Sequence, residues 1–138
     1  MEDLYQVIQN YPPGQNNVDG GGFEIKQYDP QKGYLYVQFE SLKNGYIDDF
    51  EAAYIDDTNS NSNEVDENEN QTRRRTPTHP KNAMQIRSSS RVGYLDYGVN
   101  AKRINYIAHQ LQNPPYNWPS VEGVKESTHR RYYIENEI

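Results

Sequence analysis

A chain of 138 residues suffices for one domain with a single modest core, and 33% hydrophobic residues at a mean hydropathy of -1.13 leave part of it outside that core. A formal charge of -6 gives the molecule no electrostatic drive toward nucleic acid or anionic lipid, and the lack of cysteine excludes disulfides, thiolate nucleophiles and Cys-ligated metals. No apolar run reaches the roughly 18 residues of a membrane-spanning helix.

In chain order, residues 2–11 place Leu4, Val7, Ile8 and Tyr11 at i, i+3, i+4 and i+7, which predicts a short amphipathic helix. Pro12-Pro13-Gly14 ends it, because proline offers no backbone N–H and disfavours helix in the residue before it. Glu2 and Asp3 directly after Met1 carry the wrong charge for a presequence, so the expectation is a cytosolic chain or a processed one. Residues 15–22, polar and ending in consecutive glycines, read as a loop. A strand follows over 23–28, with Phe23 and Ile25 on one face, and Asp29-Pro30-Gln31-Lys32-Gly33 supplies a turn. Residues 34–41 alternate cleanly. Leu35, Val37 and Phe39 point one way, Tyr34, Tyr36, Gln38 and Glu40 the other. Asn44-Gly45 is a hairpin signal, and 46–55 reads as a third strand.

Residues 56–81 hold six acids and Arg73-Arg74-Arg75 with almost nothing apolar. Such a stretch buries too little to offset its ordering entropy and is expected to be a disordered insertion. A fourth strand is expected over 82–90, with Met84 and Ile86 inward. After Gly98 the stripe Ile104, Ile107, Ala108 and Leu111 predicts a second helix, with Asp96 or Asn100 as its cap and Pro114-Pro115 as its stop. Residues 113–138 show no period and read as an extended tail. The order α-β-β-β-β-α predicts an α+β domain over 1–112: a four-stranded antiparallel sheet with both helices packed on one face.

The densest polar block runs from Gln85 through Arg87-Ser88-Ser89-Ser90-Arg91-Val92-Gly93 to Asp96-Tyr97-Gly98-Val99-Asn100 and Lys102-Arg103. It resembles the signature of the family known as domain of unknown function 1499. There a strand ending in Arg-Ser-x-Ser-Arg-Val-Gly leads through an aromatic-x-Asp-x-Gly-Val-Asn turn into a helix with basic residues at its start. Asp48-Asp49-Phe50-Glu51 is similar to that family's upstream strand motif. The resemblance spans about 4–111 and departs at 56–81, where a short hairpin is usual. It implies a fold and a candidate surface but no reaction. Members occur in bacteria and in photosynthetic eukaryotes, often behind a targeting segment. The resemblance therefore implies a plastid, thylakoid-associated setting, with the cytoplasm as the alternative.

Asp48 and Asp49 on one strand and Arg87 and Arg91 on the next carry complementary charge, and guanidinium meets carboxylate in a two-pronged fork. Two readings stay open. Asp48, Asp49, Glu51, Arg87, Ser88, Ser90, Arg91, Asp96, Asn100 and Arg103 form a structural network, or Arg87, Arg91 and Arg103 line a pocket for a phosphate or carboxylate at the second helix. Catalysis has less support. Adjacent strand residues such as Asp48 and Asp49 point to opposite faces, and Ser88-Ser89-Ser90 lacks a nucleophile elbow. Paired with Glu51, either acid is a thin cation site, and His79, His109 and His129 stand apart; no metal and no cofactor are expected. Tyr116, Trp118, Tyr132 and Tyr133 in the tail either wrap the domain or dock on a partner.

The leading expectation is a non-enzymatic binding or accessory protein engaging a larger protein assembly, with the resemblance pointing to a photosynthetic membrane complex. It has no transmembrane segment of its own, which leaves peripheral membrane association open, and it takes no nucleic acid. A small-anion binding module and an uncharacterised hydrolase are the alternatives.

Overall fold

The period-2 alternation beginning at Tyr34 becomes the second strand of the sheet, and everything else is arranged around the face it buries. The computed structural model describes residues 1–55, 83–93 and 95–137. Its elements are α1 (Glu2–Gln9), β1 (Gly22–Asp29), β2 (Tyr34–Glu40), β3 (Ile47–Tyr54), β4 (Met84–Ser90), α2 (Val99–Gln112) and α3 (Glu126–Asn136). The four strands pair antiparallel, as the sequence predicts, and stand in the order β1-β2-β3-β4. The insertion expected at 56–81 lies outside the described residues.

Leu35, Val37 and Phe39 of β2 and Phe50 and Ala52 of β3 are fully buried against Leu4, Val7 and Ile8 of α1 and Ile107 and Leu111 of α2. Both helices therefore cover one face of the sheet. Tyr11 closes the end of this layer, its ring edge-on to Phe23, Phe39 and Tyr106 at 6.1, 5.1 and 5.3 Å. Edge-to-face contacts suit the ring quadrupoles and add to the area term. A bulge between Ile25 and Gln27 shifts the phase of β1. Phe23, Ile25 and Tyr28 consequently all face the helices, and Tyr28 stacks on Tyr5 at 4.1 Å.

Residues 113–138 depart from the extended tail expected of them. Trp118 returns to the domain, its backbone N–H donating to the Leu111 carbonyl and its indole Nε1 to Asp3 Oδ2, both at 2.8 Å. Tyr116 and Val121 pack on the core, and α3 follows. This helix was invisible to periodicity because its contacts with the start of α2 are polar, the Tyr132 hydroxyl with Asp96 and the Ala101 N–H and the Asn136 amide with the Asp96 N–H. Ile134 on its other side is 64% exposed.

Candidate functional site

The signature block runs from β4 around the corner into α2, and its Ser88, Ser90, Asp96 and Asn100 converge on one buried cation. Arg103 sits on the inward face of α2 and is 0% exposed. A buried guanidinium is costly unless each of its five N–H groups finds an acceptor. Here each one does. Nε and Nη2 grip Asp19 Oδ2 and Oδ1 at 2.8 and 2.5 Å in a bidentate fork, and Nη2 also donates to Asp48 Oδ2 at 2.7 Å. Nη1 donates to Ser88 Oγ at 2.8 Å and to Asn100 Oδ1 at 2.6 Å. Beneath it lies the Phe39 ring, 4.5 Å from the guanidinium carbon. Burial works against the charge, but the carboxylates of Asp19 and Asp48 outweigh it and raise the pKa above its ordinary value.

Asn100 extends this centre to the helix start. It accepts from Ser88 Oγ at 2.5 Å, and its amide donates to Asp96 Oδ2 at 2.5 Å and Ser90 Oγ at 3.2 Å. Asp96 then accepts from the Gly98 and Asn100 backbone N–H groups at 3.0 and 3.1 Å, satisfying donors that open the helix. The Tyr132 hydroxyl of α3 donates to Asp96 at 2.8 Å and accepts from the Ala101 N–H at 3.2 Å. Asn136 completes the seam by accepting from the Asp96 N–H at 2.9 Å. Burial first, and the Asp96 carboxylate second, push the Tyr132 phenol well above its usual pKa. The same pair of causes, burial and then Asp19, raises Tyr11, whose hydroxyl donates to Asp19 Oδ2 at 2.7 Å. Among the described residues, no buried side-chain nitrogen or oxygen lacks a hydrogen-bond partner.

The opposite face of the sheet carries a second, half-exposed cluster. Arg91 forks onto Asp49, Nε to Oδ2 and Nη2 to Oδ1, both at 2.8 Å, and Nη2 also donates to the Tyr36 hydroxyl at 2.8 Å. Tyr36 in turn donates to Asp49 Oδ1 at 2.7 Å. The Arg91 hydrogen bond is the main reason the Asp49 carboxyl titrates below its ordinary range. Tyr34 donates to Glu51 Oε1 at 3.2 Å, and Arg87 lies 3.9 Å from Glu51 Oε2 with 74% of its side chain exposed.

Asp48 and Asp49 thus do point to opposite faces, and they serve different arginines. The pairing expected between these two acids and Arg87 and Arg91 holds only for Asp49 with Arg91. Asp48 meets Arg103 instead, because an even-numbered β3 residue faces the helices. Arg87, Arg91 and Arg103 do not line one anion pocket: the sheet lies between Arg103 and the other two, and Asp96 and Tyr132 occupy N–H groups at the start of α2. The tail aromatics are engaged with their own domain. Trp118 is bonded to Asp3, Tyr132 to Asp96 and Tyr133 to the Val124 carbonyl, while Tyr116 packs on the core. Asp19 was missed. In the sequence it is one acid in a polar, glycine-rich loop, and nothing there marks it as the partner of a residue 84 positions away.

Among the described residues, no group of three or more His, Cys, Asp or Glu could hold a metal ion, and no helix is long and apolar enough to cross a membrane. A family model described as protein of unknown function (DUF1499) matches residues 1–111, from the start of α1 to the last turn of α2. No curated protein and no solved structure matches the chain.

Proposed function

The chain belongs to the DUF1499 family of proteins of unknown function, and we propose that it is a non-enzymatic binding or accessory protein whose rigid domain presents surfaces to a larger assembly. The observation that carries this reading is the saturation of Arg103. All five of its donors are engaged, and the two carboxylates that meet it are buried with it. A general acid or base needs a proton-exchanging group within reach of substrate. Asp48 is turned inward onto Arg103, and Asp49 is held by Arg91 and Tyr36. Such an arrangement braces a strand-to-helix corner. The setting implied by the family resemblance, a photosynthetic membrane complex of the thylakoid, is where the proposal is first put to work.

Native electrophoresis of mild-detergent extracts tests it. The protein is expected to migrate with an assembly well above its own 16.1 kDa. Migration as a free monomer overturns the accessory role. Inorganic phosphate and small carboxylates at millimolar concentration are expected to leave Tm unchanged. A rise that disappears in Arg91→Ala supports anion binding instead.

A further inference from the structure

We propose that β4 is a docking edge for an extended peptide of a partner protein, which adds to the sheet as a fifth strand. The inference rests on the binding reading above and names the chemistry of the partner. β4 is terminal in the strand order, and no described residue pairs with its outer side. Sheet edges are usually blunted by bulges, charged side chains (lysine above all), proline or short length, and Arg87 is the one charge within β4. The opposite edge is defended in that way: β1 carries its bulge and the Lys26–Glu24 ion pair. β4 has neither lysine nor proline, and its seven residues pair with β3 in an unbroken register from Met84 to Ser90.

The ladder shows which groups are free. The Ile55 N–H donates to the Ala83 carbonyl at 2.9 Å and the Arg91 N–H to the Ile47 carbonyl at 3.1 Å, so odd-numbered residues of this strand exchange hydrogen bonds with β3. Met84, Ile86, Ser88 and Ser90 therefore aim their N–H and C=O groups outward. Their side chains share the helix-side face. There an open trough of about 870 Å³ separates β4 from α2 and residues 117–124, lined by Met84, Ile86, Ile104, Ala108, Val121 and Val124. An incoming antiparallel strand would place alternate side chains over this trough. Its intervening side chains would lie on the outer face beside Arg87.

Those two faces define the occupant: apolar residues toward Met84 and Ile86, small polar ones toward Ser88 and Ser90, and an acid opposite Arg87. A second copy fits poorly. In the symmetric register that pairs all of β4 with its copy, Arg87 stands directly opposite Arg87, and like charges facing across a ladder repel.

Fluorescence anisotropy with a labelled probe, acetyl-Thr-Glu-Thr-Glu-Val-Glu-Val-amide, tests this on the full chain. Saturable binding is expected. N-methylation at the Thr and Val positions, whose N–H groups would face β4, should abolish it; N-methylation at the Glu positions should not. Replacing the Glu opposite Arg87 by Lys in the probe should weaken binding by about 1.4-fold to fivefold, the range for one cross-strand charge pair. Arg87→Glu, an exposed substitution, should reverse that preference. No saturable binding, indifference to the site of N-methylation, or no response to Arg87→Glu overturns the proposal, as does a stable dimer seen by sedimentation. If native assemblies persist while the probe fails, only the edge assignment falls. If the probe binds but the chain migrates alone, the accessory role falls instead.

Discussion

Arg103 makes five hydrogen bonds in the interior, and its substitution is the sharpest test of the architecture. Arg103→Met leaves Asp19 and Asp48 buried without their cation, and removing one partner of a buried ion pair costs about 3–5 kcal/mol. Urea denaturation should show a loss of that size, and a loss below about 1 kcal/mol would mean that the centre is hydrated rather than sealed. Arg91 answers to a different physics. It is half-exposed and screened by solvent, so Arg91→Ala should cost far less than Arg103→Met despite equally good geometry. The sign of its pH dependence follows from Asp49, whose carboxyl is held below its unfolded value. The contribution is present above the ordinary carboxylate pKa and is lost as pH falls through the depressed one. Wild type and Arg91→Ala should therefore differ at neutral pH and converge in acid. Tyr11 and Tyr132 run the other way, since their raised phenols favour folding below the ordinary tyrosine pKa and oppose it as pH climbs beyond. An ultraviolet titration should show both ionising only as the fold gives way, while Tyr28, raised by its bond to Glu2, titrates near about 12.

At the level of elements, Asp96 is the hinge pin between α2 and α3. It caps two backbone N–H groups of the α2 start and accepts from Tyr132. Asp96→Ala should cost about 1–2 kcal/mol, the size of a lost helix cap. Hydrogen exchange should quicken in the first turn of α2 and throughout α3 together. Exchange confined to α2 would show that α3 is held by other contacts. Asp96 was legible beforehand as one of two cap candidates, beside Asn100, because aspartate before an apolar-periodic run is a local signal. The alternation of β2 and the stripe of α2 were legible for the same reason, since their periods are written in consecutive residues. Asp19 and α3 were not. Asp19 owes its burial to a partner on a distant helix, and α3 owes its existence to a few polar contacts rather than to an apolar face. Local reading recovers what neighbours along the chain decide, and it misses what neighbours in space decide.

For the whole molecule, the domain does not end where its family match ends. Trp118, Tyr116 and Val121 lie against the core beyond residue 111, so a chain stopped after Gln112 exposes apolar surface on α1 and α2. Such a truncation should lower stability by about 3 kcal/mol, the worth of one or two large buried side chains, and should begin to bind hydrophobic dyes. An unchanged Tm would make the segment an ornament. The ion cluster around Arg103 also constrains descent. It ties a glycine loop, a central strand and a helix through an arginine that cannot be lost alone, because its replacement strands two carboxylates in the interior. A lineage that abandons the arginine must therefore shed both acids nearly at once. Relatives that lack the arginine should lack both acids as well, with few that keep the acids alone.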